Sequence, residues 1–264
     1  MTTRSLSLLA AALTLLMFAS NAGARARAGV KITASAAPWA VVGGQIGIKG
    51  GVTPHVAGLS VALQQRQGAG WTTVQATKIA PGGGFSFTAH PKDPGAATFR
   101  VVTAKGSAAA GSSPTVVVRM LRWSYLADQY IQSPSGGELT TDPIAIHGVT
   151  YQHPVSLDAG CYNPWNGDAW INYPLKGQYE TLTATVGIGD TADSATVASF
   201  TVVADGKPVA GSNLVYGQAM KLNIPLDGVK RLQLRINVPD PTGAAGCSAF
   251  YPKVVFGDAQ WLGP

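Results

Sequence analysis

Apolar residues recur at every second position in short runs along most of this chain, with small or polar residues between them. Beyond Ala28 no apolar repeat of 3.6 residues persists over a long window, so the pattern does not predict helices. Turn signals rich in glycine and proline, such as residues 81–84 and 93–95, separate the runs. Alternation bounded by turns is typical of β-strands that bury one face, and it predicts an all-β protein.

The alternating runs fall into two groups, which predict two β-sandwich domains. In residues 29–119 they recur at about ten-residue spacing, as in an immunoglobulin-like sandwich of about seven strands. In residues 120–264 the runs are longer. A shift of one residue in the pairing of neighbouring strands would expose each apolar row to water, so the register is well specified. This second domain is predicted to be a jelly-roll-like antiparallel sandwich. The alternating apolar positions include Ile46, Ile48, Val61, Leu63, Phe85, Phe87, Leu182, Val186, Leu222, Ile224, Leu232, Leu234 and Ile236.

The charge distribution supports the same division. From Gly29 to Met120 there are eight basic residues and one acidic residue, whereas from Leu121 to Pro264 there are eight basic and twelve acidic residues. The net charges of the two parts are therefore +7 and −4. The basic first domain is suited to contact with an anionic cell-wall polymer. Its basic residues are scattered rather than clustered with aromatic residues, so nucleic-acid binding is not expected.

Residues 1–28 have the pattern of a secretion signal peptide, which is removed from the mature protein. Arg4 supplies the positive charge, and the apolar stretch 6–18 is too short to span a bilayer. Small residues mark candidate cleavage sites near Ala24 and Ala28. No later stretch is long and apolar enough for a transmembrane helix. The protein is therefore expected outside the cell, either free or associated with the cell wall.

Export would place the two cysteines, Cys161 and Cys247, in an oxidising compartment. Only one pairing is open to them, and we predict a disulfide; the alternative is two separate buried thiols. Closing a loop of this length would contribute about 4–5 kcal/mol at most, through the entropy lost by the unfolded chain.

The first domain resembles the bacterial immunoglobulin-like repeats of actinobacterial surface proteins. The resemblance covers roughly residues 30–118. Its matching segments are Trp71-Thr72-Thr73-Val74, Gly84-Phe85-Ser86-Phe87-Thr88, Pro91 and Thr98-Phe99-Arg100-Val101-Val102. Such domains usually serve as spacers, so the resemblance implies a stalk and an actinobacterial secreted protein.

The second domain resembles the NPCBM family, the carbohydrate-binding modules of secreted glycosidases and wall-associated proteins. Short motifs carry the resemblance through their order and spacing over about residues 121–262. The motifs are Ile144-Ala145-Ile146-His147-Gly148-Val149-Thr150-Tyr151, Tyr173-Pro174-Leu175-Lys176-Gly177-Gln178-Tyr179, Val186-Gly187-Ile188-Gly189-Asp190, Phe200-Thr201-Val202 with Asp205-Gly206-Lys207, Gly228-Val229-Lys230-Arg231-Leu232-Gln233-Leu234, and Gly257-Asp258-Ala259. Between Asp158 and Asn172 the sequence departs from the family, because an aromatic loop that begins near Cys161 replaces a shorter segment.

This aromatic loop combines the two side-chain types that sugar binding needs. An exposed ring covers the apolar face of a pyranose, and polar side chains match its hydroxyl groups. The candidate ligand-binding residues are Tyr162, Trp165, Asn166, Asp168 and Tyr251. Other roles stay open: one of Trp165 and Trp170 is a core residue, Asn166 and Asp168 form a turn, and Tyr251 packs at the rim.

No metal site is predicted, although Ca²⁺ stays open as a cofactor. Asp190 and Asp193 lie close together, but the segment lacks the twelve-residue calcium-loop pattern and its terminal Glu. The departure from the family around Asp190 puts any ligand or ion site there in doubt. His147 and His153 have no third ligand in the sequence pattern.

The sequence contains none of the motifs of the common catalytic classes. Gly-x-Ser-x-Gly, His-Glu-x-x-His and nucleotide-binding loops are absent, and the only glutamates are Glu138 and Glu180. We therefore predict a secreted, non-catalytic protein that recognises a polysaccharide or glycoconjugate of the cell wall or extracellular space through its second domain. The alternative is a structural or protein-interaction protein of the cell surface without sugar affinity.

Overall fold

The computed structural model describes residues 28–54, 56, 58–105, 109–129, 135–159, 167–239 and 252–264. These residues form β-strands and one short 3₁₀ helix, Leu126–Asp128, so the all-β prediction is confirmed. The part of the chain described in this way contains no helix long and apolar enough to cross a bilayer. The predicted signal peptide lies outside these ranges, apart from Ala28.

Ten strands precede the 3₁₀ helix and make up the first half of the described chain. They are β1 (Ala28–Gly29), β2 (Lys31–Ser35), β3 (Trp39–Val41), β4 (Ile46–Thr53), β5 (Ser60–Gln67), β6 (Gly70–Lys78), β7 (Gly84–Ala89), β8 (Gly95–Thr103), β9 (Ala109–Ala110) and β10 (Val116–Tyr125).

The strands of the second half follow the 3₁₀ helix. They are β11 (Leu139–Thr140), β12 (Ile144–Ile146), β13 (Val149–Tyr151), β14 (Val155–Asp158), β15 (Asp168–Pro174), β16 (Thr181–Ile188), β17 (Val197–Ala204), β18 (Lys207–Val215), β19 (Ala219–Pro225), β20 (Arg231–Asn237) and β21 (Lys253–Gly263).

The first half is a sandwich of two sheets on one apolar core. One sheet has the order β2-β4-β7, and the other has the order β10-β8-β5-β6, with β3 parallel to β10. The alternating residues predicted from the sequence face each other between these sheets. Ile48 and Phe87 from the first sheet share a buried cluster with Val61 and Phe99 from the second, and each is at most 1% exposed.

Strand β10 belongs to both halves of the protein. Residues 116–120 pair with β8 of the first sandwich, and residues 122–125 pair with β21 of the second. The predicted boundary between residues 119 and 120 therefore lies inside a continuous strand. An ion pair between Arg119 and Glu180 adds a side-chain contact between the two halves. The shared strand joins the sandwiches through backbone hydrogen bonds.

The second half is a larger antiparallel sandwich. In one sheet β21 is central: β16 pairs along one edge and β19 extends the sheet beyond β16, while β14 and β10 share the other edge of β21. The facing sheet has the order β15-β20-β17-β18. Phe200 of β17 and Phe256 of β21 meet edge to face between the sheets, with ring centroids 6.0 Å apart. The antiparallel sandwich predicted for this half is confirmed.

Candidate functional site

Four of the five predicted ligand-binding residues and both cysteines lie outside the described residues. The segment 160–166 holds Cys161, Tyr162, Trp165 and Asn166, and the segment 240–251 holds Cys247 and Tyr251. The predicted disulfide and these ligand contacts therefore stay predictions. Asp168 is the one predicted site residue that the structure places.

The described residues that flank these two segments lie next to one another at one end of the second sandwich. Asp158, near the start of the first segment, pairs in register with Lys253, just after the second. At the other ends Asp168 pairs with Asn237, and the Val238 amide donates a 2.9 Å hydrogen bond to the Gly167 carbonyl. The described residues that flank the two segments therefore lie at neighbouring positions.

Asp168 is the first residue of β15, and its carboxylate joins two residues of the neighbouring strand. It forms an ion pair with Arg235, and its Oδ1 accepts a hydrogen bond from Asn237 Nδ2 at 3.1 Å. The side chain of Asp168 is 22% exposed. Its polar partners fix the carboxylate at the base of the two segments, where it helps to define the rim of the candidate site.

Trp170 lies half-buried on the outer face of the sheet β15-β20-β17-β18. Ala169 and Ile171, its neighbours in β15, face the core. The guanidinium of Arg235 lies 6.0 Å from the centroid of the Trp170 ring, within reach of a cation–π contact. Two hydrogen bonds of 2.9 Å between the backbones of Trp170 and Ser135 hold the other edge of β15. Trp170 is thus an outer-face residue rather than a residue of the sandwich core.

Farther along the same face, two amide side chains bridge β15 and β20. Gln233 Nε2 donates a hydrogen bond to Asn172 Oδ1 at 3.1 Å. These residues border an open groove of about 810 Å³, which also takes in Asp205, Lys230 and Arg231. Sequence reasoning singled out none of these five residues as a ligand, although the alternation in 231–237 placed Gln233 on the polar face.

Asp205 fixes one wall of this groove. It has a left-handed backbone, with φ of 46°, and its carboxylate accepts hydrogen bonds from the backbone amides of Lys230 and Arg231. These bonds lower the pKa of Asp205, with a smaller contribution from the nearby positive charges of the same two residues. Since the pKa is lower in the folded protein, this interaction stabilises the fold at neutral pH and is lost as the pH falls through the folded pKa.

Residues 115–247 match the family described as the NPCBM/NEW2 domain. The chain belongs to the NPCBM/NEW2 domain family. The match covers half of the chain, and it begins one residue before the shared strand β10. The NPCBM resemblance of the second half, predicted from its motifs, is thereby confirmed. A search of curated proteins found no match.

Several solved structures are similar to this NPCBM/NEW2 protein. One is the CBM51 of Clostridium perfringens GH95 in complex with methyl-galactose: it is 20% identical, the alignment covers 53% of this chain and 99% of that one, and the TM-score is 0.42. Another holds the CBM51-2, in complex with GlcNAc, and INT domains of Clostridium perfringens ZmpB. It is 14% identical, with 64% of this chain and 38% of that one covered and a TM-score of 0.42.

Two glycines of β21 allow aromatic rings to pack directly on the backbone. A Cβ on Gly257 would lie 2.5 Å from the Tyr151 ring, and a Cβ on Gly263 would lie 2.2 Å from the Tyr179 ring. Tyr173, from the same motif as Tyr179, is 1% exposed, and burial raises its pKa. These tyrosines therefore serve packing, which explains why the motifs could reveal the family without revealing a binding residue.

The motif residue Asp190 holds a hairpin turn. Its two carboxylate oxygens accept hydrogen bonds of 2.7 Å from the backbone amides of His147 and Gly148, between β12 and β13. Asp193 accepts a 2.8 Å bond from the Ala195 amide, as in an Asx-turn. The polar groups of both acids thus serve local backbone structure. Within the described ranges, His, Cys, Asp and Glu form no group of three or more that could hold a metal ion.

Proposed function

We propose that this protein is an exported, non-catalytic carbohydrate-binding protein. Its ligand site would lie at the end of the second sandwich that carries the described neighbours of residues 160–166 and 240–251. The observation that carries this proposal is the aromatic and polar cluster at that end, formed by Trp170, Arg235, Asp168 and Asn237. The cluster supplies the fixed hydrogen-bonding groups that a pyranose requires beside an exposed ring.

In this proposal Trp165 and Tyr162 supply the exposed rings that the described cluster lacks. The cluster itself is held by an ion pair and a backbone bridge, so it forms a rigid base rather than a mobile contact. A fixed base lowers the entropy lost on binding. Asn166, Asp168 and Tyr251 complete the candidate set as hydrogen-bonding or rim residues, with Asp168 already oriented by Arg235.

A disulfide between Cys161 and Cys247 is part of the same proposal. Support comes from the register, because the pairs Asp158–Lys253 and Asp168–Asn237 place both ends of the two cysteine-bearing segments side by side. A covalent link would restrict both segments and pre-organise the binding rings. The same cysteines fit an exported protein, in agreement with the predicted signal peptide.

The first sandwich would act as an immunoglobulin-like spacer. Its order, β2-β4-β7 against β10-β8-β5-β6 with β3 parallel to β10, supports this assignment. Strand β10 would transmit the orientation of the spacer directly to the sugar-binding sandwich. The excess of positive charge in this half, +7 from Gly29 to Met120, suits association with an anionic wall polymer.

The change Trp165→Ala is expected to weaken binding to the recognised glycan by at least about tenfold, the usual effect of removing a central aromatic anchor. A glycan array identifies the ligand for the wild type, and a polysaccharide pull-down then compares the variants. Trp123→Ala is the matched control, because Trp123 is 42% exposed on β10, and its replacement is expected to change affinity less than twofold.

If the wild type binds none of the arrayed glycans, the structural or protein-interaction alternative replaces the proposal. If Trp165→Ala and Trp123→Ala bind as well as the wild type, the sugar is recognised elsewhere on the protein.

A further inference from the structure

Two cationic residues of the groove beside Asp205, Lys230 and Arg231, form no ion pair with an acidic side chain among the described residues. Among the described residues the ion pairs are Arg119–Glu180, His153–Asp128 and Arg235–Asp168, and none of them includes Lys230 or Arg231. Asp205 contacts the backbone amides of these two residues. The positive side chains of Lys230 and Arg231 are exposed at the groove.

The positive charge of this groove contrasts with the surrounding half of the chain. Lys230, Arg231 and Asp205 together carry a charge of +1, whereas residues from Leu121 onward have a net charge of −4. A local excess of positive charge in a concave site attracts an anionic ligand and raises its rate of association. Arginine also binds carboxylate, sulfate and phosphate groups through paired hydrogen bonds.

The same groove offers groups that match sugar hydroxyls. The hydrogen bond from Gln233 Nε2 to Asn172 Oδ1 uses one polar atom of each amide. The remaining atoms, Asn172 Nδ2 and Gln233 Oε1, form no other hydrogen bond within the described part of the chain. One is a donor and the other an acceptor, so together they suit a hydroxyl group. Pro174, opposite Arg231 in register, adds an apolar surface.

The groove lies on the same face as the cluster around Trp170. Successive outward pairs along β15 and β20 are Asp168–Asn237, Trp170–Arg235, Asn172–Gln233 and Pro174–Arg231. At the usual rise of a β-strand, the first and last pairs are about 20 Å apart. A glycan chain of several units could therefore reach from the proposed ring site to the groove without leaving the sheet.

We propose that the groove formed by Asn172, Pro174, Asp205, Lys230, Arg231 and Gln233 is a second subsite that binds an anionic group of a glycan. The ligand class is a polysaccharide that carries carboxylate, sulfate or phosphate groups and lies along the outer face of β15 and β20. This inference rests on the proposed sugar binding and adds the charge and length of the ligand. Asp205 pre-organises the subsite, because its hydrogen bonds fix the backbone that carries both cations.

The test compares the affinities of the whole protein for anionic and for neutral polymers. The anionic probes are polygalacturonate, dextran sulfate and poly(glycerol phosphate), and the neutral probes are galactan and dextran. The double variant Lys230→Gln/Arg231→Gln removes both charges but keeps the backbone amides that hold Asp205. The control variant Lys31→Gln/Lys221→Gln removes the same charge from exposed positions on β2 and β19.

The wild type is expected to bind at least one anionic polymer about tenfold more tightly than the neutral polymers at physiological ionic strength, and the polymer preferred identifies the anionic group. The double variant should lose this preference while its affinity for neutral glycan changes less than twofold, and the control variant should keep it. Equal losses in both variants, or an unchanged preference in the double variant, would overturn the subsite.

The outcome also separates this subsite from the proposed function. Binding of neutral glycan that survives in the double variant but not in Trp165→Ala leaves the proposed function standing, even where no anionic preference exists. Absence of binding to every polymer and to the glycan array contradicts both.

Discussion

Replacing Gly137 with alanine is expected to destabilise the second sandwich by about 3 kcal/mol or more, since the new atom would overlap backbone. An alanine Cβ would lie 1.7 Å from the Asp158 carbonyl oxygen and 3.0 Å from the Ala169 Cβ. The neighbouring residue, Glu138, exchanges two hydrogen bonds of 3.1 Å with Asp158. The chain at Gly137 would therefore have to move away from β14 and β15, beside the candidate site.

The measurement is urea unfolding followed by tryptophan fluorescence. Gly47→Ala is the matched control, because a Cβ there meets no atom within 4 Å and the residue lies in β4. This control should be neutral or slightly stabilising, by at most about 1 kcal/mol. Equal unfolding midpoints for Gly137→Ala and the wild type would show that residues 136–138 do not pack against β14 as described.

The change Phe256→Ala is expected to lower the stability of the same sandwich by about 3–5 kcal/mol. Phe256 is fully buried in the central strand β21 and meets Phe200 of the opposite sheet edge to face, at an interplanar angle of 89°. Truncation would remove this contact and leave a cavity between the sheets. The loss is measured as the shift in the urea midpoint of the second sandwich.

The control for this core truncation is Val209→Ala. Val209 is 48% exposed in the edge strand β18, so its change should stay within about 0.5 kcal/mol. A loss below about 1 kcal/mol for Phe256→Ala would be inconsistent with a fully packed position.

The alternating pattern predicted the strands of the second sandwich well, because each buries one face. Leu182, Val186 and Leu234 are all fully buried, as the period-two pattern indicated. A buried row gives a strong signal, since every second residue must be apolar for the sheet to pack. The hairpin turn at Asp205-Gly206 between β17 and β18 could also be predicted from the sequence, because an Asp-Gly pair favours the positive φ that both residues adopt.

The continuity of β10 could not be read from the sequence. Its residues 116–120 and 122–125 pair with strands that lie on opposite sides of it in the sequence, β8 and β21. Local alternation reveals a strand but carries no information on which distant strand completes its hydrogen bonds. For the same reason, the change of charge and composition near Met120 predicted a domain boundary at a position that lies inside the continuous strand β10.

The sequence pointed to one end of the candidate site but not to its far end. Asp168 was selected because it lies in an aromatic loop, whereas its partners Arg235 and Asn237 lie more than sixty residues away. The polar row opposite Leu232 and Leu234 was visible as alternation. Its pairing with β15, which creates the outer face, depends on tertiary register and had no local signal.

The most direct test of this account is an NMR titration of the whole protein with the glycan found on the array. The account predicts that amide shifts at Trp170, Arg235 and Asn237 change with ligand concentration. The opposite sheet, represented by Thr183 and Asn223, should stay unchanged. Shifts confined to that opposite sheet, or to the first sandwich, would contradict sugar binding at the end where the aromatic loop meets β15 and β20.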